Sequence, residues 1–362
     1  MLRLATWNVE WFNALFDDQG HMLDDAAYSA RYKVTRSQQL AAIAIVMTAL
    51  DADGIMVIEA PDTSHKRSTV KALEGFAARF DLRCRKAMIG FASDTEQEIA
   101  FLYDPDRLTV RHDPRGEPST TRGAAGAPRF DTVLRADLDG DGVEELIRFS
   151  KPPMELRVEV DGRILRLIGV HAKSKGPHGE VSLAEFRRIS IQNRRKQLAE
   201  WLWLRARIET HLTAGDSLLV MGDFNDGPGL DEYEKLFGHS GIEVVLGLEQ
   251  PAERRLYDPH ADMVLSQRLG LSPTSARFWL APKKHYFEAM LDFIMASPDL
   301  ARTHPDWRIW HPFNDPGAAA VPELREALLA ASDHFPVTID LSPPKPPVPQ
   351  GPAKPPRQAR KA

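Results

Sequence analysis

Five short polar motifs break out of apolar runs in a fixed order along the chain. They are Trp7-Asn8-Val9-Glu10, Ile58-Glu59, Val170-His171, Gly222-Asp223-Phe224-Asn225 and Ser332-Asp333-His334. A further acid, Asp292 in Leu291-Asp292-Phe293-Ile294, falls between the fourth and fifth. Carboxylates, amides and imidazoles at the ends of buried strands are the groups a metal-assisted phosphoester hydrolase needs. Each motif alone reads as an ordinary structural acid or histidine; the ordered set carries the inference.

The chemistry open to each follows from its type and place. Asn8 and Glu10 are two residues apart, which on a strand puts both on one face. An amide beside a carboxylate suits a hard cation and its waters. Glu59 ends the run Ile55–Ile58, and a carboxylate at the mouth of a buried strand is costly unless paired or bound to metal. Asp223 and Asn225 repeat the two-residue spacing, after a Gly222 that permits close backbone approach. The acid can orient or deprotonate a water; the amide can hold that water or donate to a phosphoryl oxygen. Such positioned bonds typically contribute a few kcal/mol to a transition state. His334 can stabilise charge as imidazolium or move a proton, with Asp292 as the partner that fixes its tautomer. His171 precedes Lys173-Ser174-Lys175, so this strand end reads as a phosphate-facing loop with Lys173 and Lys175 as phosphate contacts. Glu98 and Gln97 are alternative orienters of His171.

These side chains need buried strands beneath them. Residues 2–9, 55–59, 99–103, 164–170, 218–222 and 291–296 are short apolar runs bounded by polar or turn residues, the pattern of buried strands. Helical spacing over Val34–Leu50 (Leu40, Ile43, Val46, Met47, Leu50) and Leu183–Leu212 (Phe186, Ile189, Leu198, Leu202, Ile208) marks two helices. On the second, Arg187, Arg188, Arg194, Arg195, Lys196, Arg205 and Arg207 read as a solvated face. Asp113–Pro128, rich in Gly, Pro, Arg and Thr, reads as a mobile surface loop. Asp137, Asp139 and Asp141 match the first half of a calcium loop, but its twelfth position is Arg148 where a bidentate Glu is required. Strands are expected over Phe130–Leu134 and Glu144–Phe149, so a hairpin turn is the favoured reading over a weak Ca²⁺ site. Pro305–Ala331 reads as a loop with a short helix from Pro322; its Trp307, Trp310 and Phe313 either pack on the body or stack on a base.

Composition sets the bounds. The 362 residues are 43% hydrophobic and 27% charged, enough for one large domain or two ordinary ones. The apolar runs fall far short of the ~20 residues of a membrane span, so no transmembrane helix is expected. Leu2 opens a strand with no leader pattern before it, so no signal peptide is expected. Cys84 is the only cysteine; a single thiol favours a reducing compartment, hence the cytoplasm. The net charge is −5, and the tail from Ser342 holds Lys345, Lys354, Arg357, Arg360 and Lys361 without an acid. The body is therefore near −10, which argues against nonspecific wrapping of long duplexes. The organisation expected is a domain over 1–341 and a disordered Pro/Lys/Arg-rich tail over 342–362. No internal repeat is visible, no protein partner is inferred, and a monomer is expected.

Taken together, the motifs resemble the endonuclease/exonuclease/phosphatase superfamily, which includes deoxyribonuclease I, over nearly all of residues 2–340. The resemblance implies an α/β fold: a four-layer sandwich of two mixed β-sheets face to face, with helices outside and chemistry at one end of the sheets. It implies that Asn8, Glu10, Glu59 and Asp333 serve the metal, Mg²⁺ or Mn²⁺. It implies that His171, Asp223, Asn225, Asp292 and His334 serve catalysis. Abasic-site enzymes of the family carry Gln-Glu followed by Lys. Here Ile58 precedes Glu59 and Ala60-Pro61-Asp62 follows, which argues against that role. The inositol-phosphatase pattern after the fourth motif is replaced by Asp226-Gly227-Pro228. Lys151-Pro152-Pro153 and His171-Ala172-Lys173-Ser174-Lys175-Gly176 look more like bacterial nucleases of the deoxyribonuclease-I-like branch.

The leading expectation is a metal-dependent phosphodiesterase, a nuclease acting on DNA or RNA by a single in-line attack of water. The alternative keeps the chemistry and takes a lipid headgroup or small phosphoester, as a sphingomyelinase does, with Trp279, Trp307, Trp310 and Phe313 offering the apolar surface. A non-catalytic scaffold is the third reading, disfavoured because no core position is missing.

Overall fold

The computed structural model describes residues 1–93, 95, 97–138, 142–174, 183–227, 238–266, 272–280 and 284–342. The apolar runs of the sequence become two mixed sheets. In the first, β1 (Leu2–Asn8) and β2 (Gly54–Pro61) lie parallel at the centre. β4 (Gln97–Tyr103) and β3 (Lys86–Ile89) extend it antiparallel on one side; β15 (Val337–Leu341) and β14 (Asp306–Ile309) do so on the other. In the second, β9 (Arg163–His171) and β10 (Leu218–Asp223) form the parallel pair. β13 (Asp292–Ala296) borders β10; β8 (Met154–Val160) and β5 (Thr109–His112) continue beyond β9.

Period-two alternation sorts the strand residues into layers. Met56 and Ile58 of the first sheet meet Leu165, Leu167, Leu219 and Met221 of the second in the inter-sheet core. Their neighbours Ile55 and Val57 face outward into a second core with α1 (Arg36–Leu50), α2 (Thr69–Arg79) and α8 (Pro322–Ala331). On the far side Ile168, Val170, Leu218 and Val220 pack under α3 (Leu183–Ala214), α4 (Gly241–Leu246) and α5 (Pro259–Leu265). The order is helices, sheet, sheet, helices: the four-layer sandwich expected. Two short helices, α6 (Pro298–Ala301) and α7 (Pro316–Ala320), complete the fold. No helix among the described residues is long and apolar enough to cross a membrane.

Local chemistry supports these elements. Thr35 accepts from the Gln38 backbone N–H while the Gln38 side chain accepts from the Thr35 N–H, a reciprocal cap that starts α1. Arg3 and Asp340, opposite each other on β1 and β15, form a two-pronged ion pair with both N–O distances at 2.7 Å.

Several sequence readings are corrected. Phe130–Leu134 is not a strand; the hairpin is β6 (Leu134–Ala136) with β7 (Glu145–Ile147). Asp137 accepts from the Gly142 N–H, as a turn requires, while Asp139, Asp141, Lys175 and the tail beyond 342 lie outside the described residues. Pro305–Ala331 contains an edge strand, β14, because Trp307 and Ile309 alternate inward against β15. Trp310 is buried, and Trp307 is partly buried with its indole N–H on the Ile294 carbonyl; neither offers an apolar surface. The arginines of α3 are not all solvated. Arg194, Arg205 and Arg207 are buried, because Asp226, Val245 and the Ala127-Pro128 backbone meet a second face of the helix. Arg207 donates to the carbonyls of Ala127 and Pro128, and so pins the loop that reads as merely superficial. Phe186 and Leu202, expected inside, are exposed, and Trp201 and Trp203 take the interior.

The close sheet packing gives a paired test. A methyl added at Gly54 would sit 2.3 Å from the buried ring of Phe101, so Gly54→Ala should cost about 1–3 kcal/mol. Gly75, on the exposed side of α2, has open space around it, so Gly75→Ala should gain about 0.5–1 kcal/mol. Urea unfolding midpoints should move in opposite directions; movement in the same direction would contradict the packing.

Candidate active site

The parallel strands of both sheets end on the same side of the sandwich, and four of the motifs sit at those ends. Asn8 closes β1, Glu59 lies near the end of β2, His171 closes β9 and Asp223 closes β10. The strand register sets His171, Asp223 and Asp292 side by side, with Asp223 opposite His171 on one flank and Asp292 on the other.

Backbone conformation explains why these residue types stand here. Gly222 has φ 147°, and a methyl there would lie 1.9 Å from the Val170 carbonyl oxygen; only glycine lets β10 approach β9 so closely. Asn225 has φ 47°, a left-handed turn that asparagine tolerates best among residues with side chains. Glu59 also has a positive φ, 62°, at a bulge between Ile58 and Ala60. Such a conformation costs a non-glycine residue on the order of 1–3 kcal/mol. The bulge breaks the alternation of β2 and brings the Glu59 carboxylate to 3.9 Å from His171 Nε2.

Hydrogen bonds assemble the rest. Asn8 Nδ2 donates across the sandwich to Asp223 Oδ2 at 3.0 Å. Asn225 adds its backbone N–H to Asp223 Oδ1 at 2.8 Å and its amide to Oδ2 at 2.9 Å. His171 Nε2 lies 3.7 Å from Asp223 Oδ2. His334 Nδ1 lies 2.8 Å from Asp292 Oδ2, which also accepts from the Ser275 hydroxyl at 2.8 Å. Among the described residues, Asp223, Asp292 and His334 form a three-residue group compact enough to hold a metal ion. Asp333 is half-buried beside them, and its charge reaches Glu59 and His334.

Glu10 is placed differently from the sequence reading. β1 ends at Asn8, and the chain then turns through Trp11 with φ 59°. The Glu10 carboxylate is an ion-pair partner of Arg31 and accepts from the Trp11 indole at 3.0 Å. It therefore does not share a strand face with Asn8. Lys173 is only partly buried and forms part of the His171 loop.

Some contributors were not singled out by sequence. The Ser332 hydroxyl donates to the Asn8 carbonyl at 2.7 Å and accepts from the N–H groups of Glu10 and His334. The Trp7 indole donates to the His334 carbonyl at 2.9 Å. Both stood inside motifs, yet only the fold reveals that they tie the first motif to the last. Lys151 is another. Its ammonium lies 3.0 Å and 3.1 Å from the two ring nitrogens of His171 and donates to Gln97 Oε1 at 2.8 Å. Gln97 thus reaches His171 through Lys151, whereas Glu98 is engaged by the backbone of Ser93 and Thr63. Ser275 carries no signal in the sequence.

Burial and charge divide the histidines. Burial, reinforced by Lys151 and His334, holds His171 well below the ordinary histidine value, so it is neutral. Burial also opposes charge on His334, but Asp292 and Asp223 outweigh it and hold the ring well above that value. Burial raises Asp223, with His334 pulling the other way. It raises Glu59 against the opposing charges of Lys151 and His334, and it lowers Lys151 against Glu59 and Asp223. The arrangement offers an oriented carboxylate, a charged imidazolium and a neutral imidazole at one end of both sheets.

The chain resembles known proteins over the whole of this framework. The model of the endonuclease/exonuclease/phosphatase family matches residues 5–334. A search of the curated proteins finds no match. Similar solved structures include truncated TDP2 of Caenorhabditis elegans, 12% identical at a TM-score of 0.47, covering 94% of this chain and 97% of that one. An AP endonuclease from Archaeoglobus fulgidus is 14% identical at 0.46, covering 94% and 99%. An endonuclease/exonuclease/phosphatase from Bacteroides vulgatus is 13% identical at 0.46, covering 94% and 98%. The matched span takes in every motif from Asn8 to His334, so the chain belongs to the endonuclease/exonuclease/phosphatase family and is a hydrolase of phosphoester bonds.

Proposed function

We propose that this protein is a divalent-metal-dependent phosphodiesterase that cleaves nucleic acid. The observation that carries the proposal is the meeting of Asn8, Glu59, His171, Asp223, Asn225, Asp292 and His334 at one end of both sheets.

The donor set fits a hard cation. Asn8 Oδ1 is buried and has no hydrogen-bond partner, an expensive state for a carbonyl oxygen unless it has a ligand to bind. Glu59 accepts a long 3.4 Å bond from the Trp11 N–H and keeps acceptor capacity free. Asn8 and Glu59 would hold Mg²⁺ or Mn²⁺, with Asp333 near enough to assist through water. When bound, the ion would neutralise phosphoryl charge and favour the ionised form of Glu59. Asp292 Oδ2 is already taken by His334 and the Ser275 hydroxyl, so that pair reads as a proton-holding unit, although Asp292 Oδ1 is also buried without a partner.

The chain's own groups then take distinct parts. Asp223, fixed by donors from Asn8 and Asn225, orients the attacking water and accepts its proton. His334, kept charged by Asp292, donates toward a phosphoryl or leaving oxygen. Neutral His171 and the Lys151 ammonium line the opposite flank, and Lys151 and Lys173 bring positive charge to an anionic substrate. The attack is a single in-line displacement with no covalent enzyme intermediate.

Activity should be measured with Mg²⁺, Mn²⁺ and Ca²⁺ on supercoiled plasmid, single-stranded DNA, RNA, an abasic duplex and a chromogenic phosphodiester. Cleavage that EDTA abolishes is expected; the lack of cleavage of every substrate with every ion would refute the proposal. Asp223→Asn should lower kcat by ~10²–10⁴-fold, the usual worth of a positioned base, with the fold intact by circular dichroism. Near-normal turnover would remove Asp223 from that role.

A second outcome concerns pH. Activity should fall on the acid side as pH drops through the raised value of Asp223, and on the alkaline side as pH climbs through the raised value of His334. The limbs belong to the interacting set, but Asp292→Asn removes the charge that holds His334 high. Its alkaline limb should therefore move to lower pH. The stability from the His334–Asp292 pair has the same sign: it is complete below the unfolded histidine value of about 6.5 and is lost as pH rises through the folded one. An alkaline limb unmoved by Asp292→Asn would contradict the assignment.

A further inference from the structure

One hairpin beside the site has no part in this chemistry. The hairpin of β11 (Ala276–Leu280) and β12 (His285–Ala289) has two unlike faces. The register pairs Arg277 with Glu288 and Trp279 with Tyr286, which sets these four on one face. The other face carries Phe278 and Phe287, whose ring centroids are 5.4 Å apart and which pack with Ala276, Ala289 and Leu291. The hairpin is thus anchored by its inner face, and its outer aromatics are not needed to hold it.

Those outer aromatics form a continuous surface. Trp279 and Tyr286 stand edge to face with centroids 5.1 Å apart. The Arg277 guanidinium lies 3.7 Å from the Tyr286 ring centre and 5.4 Å from that of Phe313. Trp279, Tyr286 and Phe313 are 52%, 48% and 50% exposed, so three large rings leave about half of their area to solvent. Contiguous exposed aromatics of this kind mark interaction sites more often than chance.

The surface is coupled to the catalytic end of the sandwich by backbone. The Arg277 N–H donates to the Asp333 carbonyl at 2.7 Å, and Ala276 bridges His334. Arg31, the ion-pair partner of Glu10, lies near Tyr286.

We propose that the outer face of this hairpin, with Phe313, is a stacking platform for an unpaired nucleobase, so that the protein prefers single-stranded nucleic acid. This deepens the phosphodiesterase reading and rests on it. Rings interleaved with guanidinium groups beside a phosphodiester site form the combination that binds single strands: bases stack on the rings while cations track the backbone. A base within a duplex has both faces covered by its neighbours and cannot use such a platform. The charged Arg277–Glu288 pair, with Nε and Oε1 2.9 Å apart on the same face, disfavours insertion into a lipid surface.

Equilibrium binding in EDTA tests the platform without turnover. It compares labelled oligothymidylate of about twelve nucleotides with an equally long strand of abasic residues and with duplex. The wild type should prefer the base-bearing strand to the abasic strand by roughly ten-fold or more. In Trp279→Ala/Tyr286→Ala that preference should collapse toward unity, whereas Trp279→Phe and Tyr286→Phe should keep most of it. Any one of the following overturns the platform: no base preference in the wild type, an undiminished preference in the double variant, or tighter binding of duplex. Loss of binding to sphingomyelin vesicles with strand binding unchanged would also overturn it, in favour of a lipid surface. Hydrolysis of the chromogenic phosphodiester with Mn²⁺ is scored separately. Its absence, together with no cleavage of any nucleic acid with any of the three ions, would refute the phosphodiesterase reading, while strand binding decides the platform by itself.

Discussion

The site depends on one polar contact across the sandwich. Two sheets packed face to face meet through apolar side chains, and such an interface must end somewhere. Here it ends at the hydrogen bond from Asn8 to Asp223, which joins the last residue of β1 to the last residue of β10. Asp223 is nearly inaccessible, and a buried carboxylate is costly unless donors surround it. Asn8 and Asn225 meet that need, and in doing so they fix the carboxylate in one orientation. The same bond leaves the side-chain amide oxygen of Asn8, Oδ1, turned away from Asp223 and without a partner. One amide therefore holds the base on one side and presents a ligand oxygen on the other.

Around this contact the protein separates charges that would otherwise cancel. Asp292 faces Asp223 across the strand pair, and the two acids share the field of one imidazolium, His334. His171, a strand away, has Lys151 beside it and stays neutral. Two histidines of equal intrinsic basicity thus acquire opposite states from their neighbours alone. The backbone helps: the bulge at Glu59, the close approach at Gly222 and the left-handed turn at Asn225 are each unfavourable or glycine-dependent geometries gathered in one place. Strain so concentrated is a mark of a site that positions groups.

Much of this was legible in the sequence. Six buried strands announced themselves as apolar runs, and the polar residues that ended the four parallel ones, β1, β2, β9 and β10, marked the catalytic end of both sheets. The helices over Val34–Leu50 and Leu183–Leu212 followed from their periodicity. Other features were hidden for definite reasons. Glu10 has the right spacing from Asn8, but spacing decides a face only while the strand continues, and β1 stops at Asn8. Arg194, Arg205 and Arg207 look solvated because charge usually is; their contacts with Asp226, the Val245 carbonyl and the Ala127 carbonyl span 32, 40 and 80 residues. Ser275 reaches the site from a segment with no motif, and Lys151 stood in a motif, Lys151-Pro152-Pro153, that gave it no role. Their roles come from three-dimensional neighbours, which a single sequence does not disclose.

Asn8 and Glu59 should hold a divalent cation beside Asp223, and anomalous diffraction from crystals soaked in Mn²⁺ measures this directly. A peak is expected within bonding distance of Asn8 Oδ1 and the Glu59 carboxylate, about 2.2 Å for a hard cation. A peak bound instead by Asp292 and His334, or no peak at a saturating concentration, would contradict it.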